Sequence, residues 1–429
     1  MNKQNKLNLL TKISVLSVSL IITTGPAISP LLPDISNHYN NISEAAIESL
    51  STVQQFSVVI SLIIANFISK KIGIKKTVIL GLLLAGFAGV VPFFIDNYYV
   101  ILISRIVFGV GVGFFNSLAI TIIDLLYSGS VKTKLLGIRT SMEQLGYALA
   151  SLMIGALLLL GWRFGFLIYV WAIPISFIFW KYVPEVQSKT DKNNLKKNNS
   201  SNESHGKKQI GFVFLALFLM LVTLCDTGTN VELPKLLVEQ KIGTGTLSGI
   251  IIAMKTTMAM IVGIFFGKIY NLLHWWVVPS GIVAFLIGSL TIPQSHLWLV
   301  CLGSVISGIG SPLIGTYAFK TISETAPSGK ENAINTMVLI GCNAGSFVAP
   351  IALTTGSNLF GGTVKSDFYF MASIFAILLV IVISQKIISR NQTHNKSIYL
   401  TKLRFVITKA DERSECSEVN KLDYFYSVT

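Results

Sequence analysis

The sequence predicts an all-α membrane protein of twelve transmembrane helices arranged as two six-helix repeats. Three observations carry that prediction. The 429 residues are 52% hydrophobic and only 13% charged, about half the charged content of a soluble domain, and the mean hydropathy is +0.65. Twelve apolar windows follow one another, each long enough to cross a hydrocarbon core of about 30 Å, which takes about 20 helical residues. Segments of the two halves also match at a nearly constant offset.

The windows fall at 12–33, 48–69, 76–95, 99–126, 135–160 and 164–183, and then at 209–230, 246–271, 274–293, 297–319, 332–357 and 366–388. Lys3, Lys6 and Lys12 precede the first, as in a signal peptide. That window runs to about Leu32, longer than a signal core, and carries no small-residue cleavage site. It reads as a first membrane span with a cytoplasmic N-terminus. The fourth window encloses Arg105, and a cation there costs about 2.5–3.5 kcal/mol unless it faces a protein interior or a water-filled cavity. Gly109, Gly111 and Gly113 follow it and let a neighbouring helix approach closely. Arg105 therefore either ties the bundle together through a carbonyl or carboxylate, or lines a transport pathway.

Residues 1–183 form an N-terminal six-helix half. A cytoplasmic linker rich in Asn, Lys and Ser follows at 184–208, too poor in apolar residues to pack. Residues 209–388 form the second half, and 389–429 a cytoplasmic tail to which no role is assigned. With the N-terminus inside, the connections assigned to the cytoplasm before the tail hold twenty Lys and Arg, among them Lys70, Lys132, Lys134 and Arg139. The outer ones hold four: Arg163, Lys235, Lys241 and Lys365. That bias follows the positive-inside rule. It accounts for the net charge of +14 without nucleic acid, and predicts a multi-pass protein of the cell membrane with both termini cytoplasmic.

The halves echo each other. Residues 66–72 parallel 263–269, about 197 residues on. Gly109 and Gly111 parallel Gly308 and Gly310, and Gly146, Ala150 and Ser151 parallel Gly345, Ala349 and Pro350, both about 199 on. Two six-helix repeats with a site between them are a recurring transporter design. Cys225, Cys301, Cys342 and Cys416 show neither pairing nor metal spacing, and the first three lie in apolar runs as small packing residues. No Walker-type phosphate loop is present, and neither a cofactor nor a metal site is expected.

On these residues the chain resembles the major facilitator superfamily over about residues 10–388. The loop from Asn66 to Lys76 is similar to the signature between the second and third helices: Lys71, Gly73 and Lys75 match and Lys76 extends the cluster, while Asn66 and Lys70 replace the signature glycine and aspartate. Arg105 through Gly113 resembles the fourth-helix motif of an arginine four residues before Gly-x-Gly, with Phe108 where glutamine is common. The resemblance implies a part for Arg105 in proton transfer. Gly146 through Gly155 is similar to the fifth-helix motif of drug/proton antiporters, with Ala150-Ser151 in place of Gly-Pro. Pro30-Leu31-Leu32-Pro33 and Gly161-Trp162-Arg163 add to the likeness.

Proton coupling needs an acidic group whose proton affinity is set by burial and nearby positive charge. Glu143 lies about eight residues into the fifth helix and Lys255 about ten into the eighth, so both fall near the midplane. The resemblance implies that these helices face each other across the two halves, so a Glu143–Lys255 pair lining the cavity is expected, acting in coupling or as a static packing pair. Asp226 reads as an outer gate or rim charge, and Asp34 and Asp124 as helix-end charges. Gln54, Gln55, Asn116, Gln144, Tyr147 and Asn343 could give a cavity polar contacts or bond between helices. Lys71, Gly73, Lys75 and Lys76 form the expected gating loop. Gly109, Gly111, Gly113, Gly146 and Gly345 are expected to pack helices, while His274 and His296 sit at boundaries.

These features predict a monomeric secondary transporter, not an enzyme, exporting a small, partly apolar compound against protons. A proton-coupled uptake permease for an organic anion is the alternative. A membrane-embedded lipid-modifying enzyme would need clustered carboxylates or histidines at one interface, and the sequence shows no such cluster.

Overall fold

The structure is a computed structural model that describes residues 3–127, 129–185, 205–326 and 331–386. Most of the linker, the tail from residue 387 and Cys416 lie outside the described residues, as do the side chains of Asn66, Asp124, Lys132 and Lys134.

The first crossing is broken. Helix α1 (Lys3–Ile22) gives way to a 3-10 turn over Gly25–Leu31 and a short α2 (Leu32–His38), and the two parts meet at 45°. Pro26 and Pro30 supply no backbone N–H, so the α-helical ladder cannot run through them. After α3 (Glu44–Ser49) come α4 (Val53–Ile72), α5 (Ile74–Phe94), α6 (Tyr98–Leu126) and α7 (Gly129–Leu157). A 3-10 stretch, Trp162–Trp171, then leads into α8 (Ala172–Tyr182). The second half holds α9 (His205–Glu239), α10 (Gly245–Leu273), α11 (Val277–Thr291), α12 (Leu297–Thr325), α13 (Glu331–Ser357) and α14 (Val364–Lys386).

Gly245–Thr291 is one apolar run of 47 residues. The 29 residues of α10 already span about 43 Å, and the chain turns at His274–Trp276, where His274 has φ +49°. It therefore crosses twice, which makes twelve crossings among the described residues. Gly73 joins α4 to α5 with no intervening loop, at φ +93°, a backbone that a Cβ would strain. Asn97 starts α6 by accepting from the Tyr99 and Val100 amides.

Contacts divide the chain into Met1–Ala376 and Ile377–Thr429. In the second unit the described residues are the end of α14, where the Ser384 hydroxyl donates to Ile381 O at 2.9 Å. The first unit holds everything that follows.

Its two repeats pack alike. Gly146 lies against Leu20 O and Gly345 against Met220 O; Gly109 lies against Gln54 O and Gly308 against Lys255 O. Gly111 abuts Gly81 O, as Gly310 abuts Gly281 O. In every case glycine and partner recur 199 to 201 residues later. Gly113 packs on Ser61 and Val58 of α4 in the same manner. A backbone carbonyl fills the space that a Cβ would take, so the helices approach as small-residue membrane interfaces do.

The halves meet along two seams. In one, Gly249 of α10 sits on Ser151 O and Gly155 of α7. In the other, Phe56 of α4 meets Phe347 of α13 at 5.3 Å between ring centroids. The halves also join at the end of the bundle that carries α3, where Gly245 abuts Pro30 O and Leu158.

Candidate functional site

Arg105 is completely buried inside the N-terminal half. Its Nε donates to Leu50 O at 3.2 Å, and its Nη2 donates to Gly25 O at 2.5 Å and to Gln54 Oε1. The guanidinium lies 4.8 Å from the Phe108 ring centroid and 5.1 Å from that of Tyr169. The Tyr169 hydroxyl in turn donates to Thr24 O at 3.1 Å. The carbonyls of Gly25 and Leu50 fall where the broken first span and the α3–α4 turn leave backbone groups outside regular helix. A planar fork on α6 satisfies both at once. Phe108, standing where the resembling motif has glutamine, supplies the aromatic face. Arg105 is thus placed as an internal clamp, with Gln54 bonded to it.

Glu143 and Lys255 are not brought together; each has a partner in its own half. Glu143 Oε1 lies 2.8 Å from Arg139 Nη2, one turn back on α7, and Arg139 also donates to Asn116 Oδ1 at 2.9 Å. Arg139, expected among the cytoplasmic loop charges, is therefore buried within the bundle. The backbone carbonyl of Glu143 accepts from Thr23 Oγ1 at 2.6 Å, which fastens α7 to the end of the α1 crossing.

Lys255 Nζ lies 2.7 Å from Asp226 Oδ1, at ion-pair distance without hydrogen-bond alignment. It donates to Asn230 Oδ1 at 2.9 Å and to Asp226 O at 3.3 Å. Asp226 is deeper than the outer third expected for it, because α9 continues to Glu239 instead of ending near residue 230. The Lys255 side chain is 4% exposed and that of Asp226 is 24% exposed. Tyr147 of α7 lies within electrostatic reach of Asp226 across the interface between halves, and its buried hydroxyl has no hydrogen-bond partner among the described residues. The mid-depth site is therefore Arg139–Glu143 and Tyr147 on one side, with Lys255–Asp226–Asn230 on the other.

The remaining polar residues divide. Gln55 and Gln144 are half-buried, and Asn343 bonds within its own helix, to Leu339 O at 2.7 Å. Lys71 and Lys76 are exposed around Gly73, with Lys75 half-buried; Glu185 Oε1 is the neighbour a Cβ on Gly73 would meet. Asp34 is exposed. Sequence reasoning missed Arg139 and Asn230 as site residues. The signal was local: Arg139 precedes Glu143 by four residues and Asn230 follows Asp226 by four, each one helical turn.

The sequence profile of the Major Facilitator Superfamily matches residues 13–278, more than half of the chain. The chain belongs to the Major Facilitator Superfamily. It is a secondary transporter of the membrane, acting on small molecules, and not an enzyme. No curated protein matches it in sequence. Solved structures of the superfamily share its fold at low identity. A bacterial homolog of the human lysosomal transporter Spinster, inward-facing and unoccupied, is 15% identical, with a TM-score of 0.68 over 89% of this chain and 96% of that one. The peptide transporter POT in complex with sulfate is 10% identical, with a TM-score of 0.69 over 89% and 94%. The xylose transporter XylE from E. coli, inward open, is 14% identical, with a TM-score of 0.65 over 88% and 95%.

Proposed function

We propose that this superfamily member exports a small, partly apolar compound by alternating access, driven by protons moving inward. The observation that carries the reading is the wiring of the mid-depth charges. Glu143 and Asp226 pair with cations of their own halves, so neither pair locks one half to the other. Asp226 keeps a quarter of its surface open, which gives a proton or a cationic group a route to it. Protonation of Asp226 would leave Lys255 on Asn230 and the Asp226 backbone carbonyl, changing the charge beside Tyr147 at the interface. The fifth-helix likeness to drug/proton antiporters supports the direction of export.

In this reading residues 1–183 and 209–388 rock against each other about the α7–α10 and α4–α13 seams. The protein acts as a monomer in the cell membrane with both termini cytoplasmic, which puts the α3 end outside and makes the present conformation closed on that side.

The test is reconstitution in liposomes with an entrapped pH-sensitive dye and a panel of pooled drugs and metabolites. Proton movement that requires a compound and disappears in Asp226→Asn supports the reading. Compound flux that proceeds with no proton movement refutes the coupling.

A second reading, uptake of an organic anion, draws on Lys255, which could exchange its Asp226 contact for a substrate carboxylate. Counterflow with anions against cations separates the two.

A further inference from the structure

The α3 end of the bundle carries a partly open cavity of 290 Å³ lined by groups from both halves. Glu44 comes from α3, and Glu232, Lys235 and Glu239 come from the last two turns of α9. Thr354, Ser357, Asn358 and Thr363 line it from α13 and the turn beyond, and Asp367 from α14. Glu48 of α3 completes the set, in contact with Lys235. Lys235 Nζ lies 2.8 Å from Glu44 Oε1, 3.5 Å from Glu48 Oε1 and 4.0 Å from Glu232 Oε2. One ammonium therefore faces five carboxylates.

Two of these carboxylates are almost wholly buried, Glu232 at 2% and Glu48 at 5% exposure. An oxygen of each, Glu232 Oε2 and Glu48 Oε2, is without a hydrogen-bond donor among the described residues. A buried acceptor with no donor is expensive, and like charges enclosed together more so. The lining hydroxyls and the Asn358 amide can orient a guest but bring no positive charge.

Closure of the halves is what brings the α3 carboxylates onto those of the second half. Glu44 and Glu48 belong to the first half; Glu232, Glu239, Asp367 and Lys235, the one cation among the described lining residues, belong to the second. Parting the halves would return them to water, where their repulsion is screened. Closing them concentrates negative charge that Lys235 alone does not balance.

We propose that closure of the α3 end takes up a monovalent cation into this cavity, beside Lys235. The site is separate from the mid-depth charges and ties cation binding to the conformational step itself. It rests on the alternating-access reading above. Proton, sodium and a small primary ammonium share the chemistry required, and the test tells them apart.

The experiment measures the distance between spin labels at Asn41→Cys and Leu359→Cys, exposed positions in opposite halves at this end, in a full-length cysteine-free background in nanodiscs. Starting in dilute buffer at pH 8.5, one arm lowers the pH to 5.5, one adds sodium chloride and one adds ethylammonium chloride. The expected result is at least a fivefold rise in the ratio of closed to open populations in one arm, which names the occupant. Glu48→Gln with Glu232→Gln should stay closed in all conditions and lose the response. Asp367→Asn, a milder change, should weaken it by severalfold if the double variant does not fold.

A ratio that stays constant in all three arms, or a response undiminished in the Gln and Asn variants, overturns the proposal. Gly245→Trp separates that failure from failure of the underlying reading, since its side chain would collide with Pro30 and Leu158 and wedge this end apart. A longer distance in Gly245→Trp, together with no cation response in the protein that keeps Gly245, removes the cation alone. No widening in Gly245→Trp removes alternating access, and the cation with it.

Discussion

Replacing Arg105 by methionine separates a clamp from a proton carrier. The side chain keeps most of its volume, so the change removes donors rather than packing. Three acceptors lose a donor, Gly25 O, Leu50 O and Gln54 Oε1, with Tyr169 still donating to Gly25 O at 3.3 Å. Polar contacts within membrane bundles contribute on average about 0.6 and at most about 1.7 kcal/mol each, so the loss is about 2–5 kcal/mol. For a chain of this size about 2 °C of unfolding midpoint corresponds to 1 kcal/mol, giving a fall of about 4–10 °C. Arg105→Lys can reach one acceptor at a time and should fall between wild type and Arg105→Met. The assay is tryptophan-fluorescence melting in detergent, run beside proton flux in liposomes. A clamp loses stability and transport together. If Arg105→Met melts within about 1 °C of wild type while transport vanishes, the clamp reasoning is wrong and Arg105 acts in proton transfer.

Three further outcomes follow from the geometry. Lys255→Met strands Asp226 and should cost about 3 kcal/mol, whereas Asp226→Asn, part-exposed and still able to accept, should cost about 1–2 kcal/mol. The double variant should lie within about 1 kcal/mol of wild type, so that a double-mutant cycle reports the pair. Gly146→Val and Gly345→Val push a side chain into the Leu20 and Met220 carbonyls and should each cost about 1–3 kcal/mol; similar melting losses at the two positions would show that the repeats are energetically alike. Gly73→Ala forces a non-glycine residue to φ +93° and should cost about 1–2 kcal/mol by thermal melting, with transport slowed if the α4–α5 joint flexes during the cycle.

Much of the fold was legible because crossing a bilayer imposes length and apolarity on every span, and because the glycines that let helices touch recur at one offset. Gly109, Gly111 and Gly146 pointed to Gly308, Gly310 and Gly345 before any contact was known, and the contacts repeat with them. Side-chain partners were less legible. Depth along a helix placed Glu143 opposite Lys255, yet depth says nothing of the direction in which a side chain leaves its helix, and residues one turn away, Arg139 and Asn230, took the contacts. The carboxylates of the α3 end were harder still. Glu48, Glu232 and Asp367 lie far apart in sequence, and each reads alone as a rim charge. Only the closing of one half on the other makes them a group.

The repeats also explain why the two buried cations are not equivalent. Gln54 and Lys255 occupy matching positions, each beneath the glycine of the helix two spans on. Gly25 and Asp226 lie within one residue of matching positions, and a carbonyl at each accepts from a cation: from Arg105 in the first half and from Lys255 in the second. A carbonyl of the first helix is thus held by a cation on the fourth helix in one repeat and, close to the matching place, by one on the second helix in the other. In the first half it belongs to a broken crossing, and its cation has only carbonyl, amide and aromatic neighbours, none of which gains or loses a proton near neutral pH. In the second half the crossing stays helical through Asp226, and the cation also faces a carboxylate with a quarter of its surface open. In the proposed reading one half therefore carries a fixed internal anchor and the other an exchangeable pair. Loss of the anchor should appear first as lost stability, and loss of the pair's carboxylate first as lost coupling.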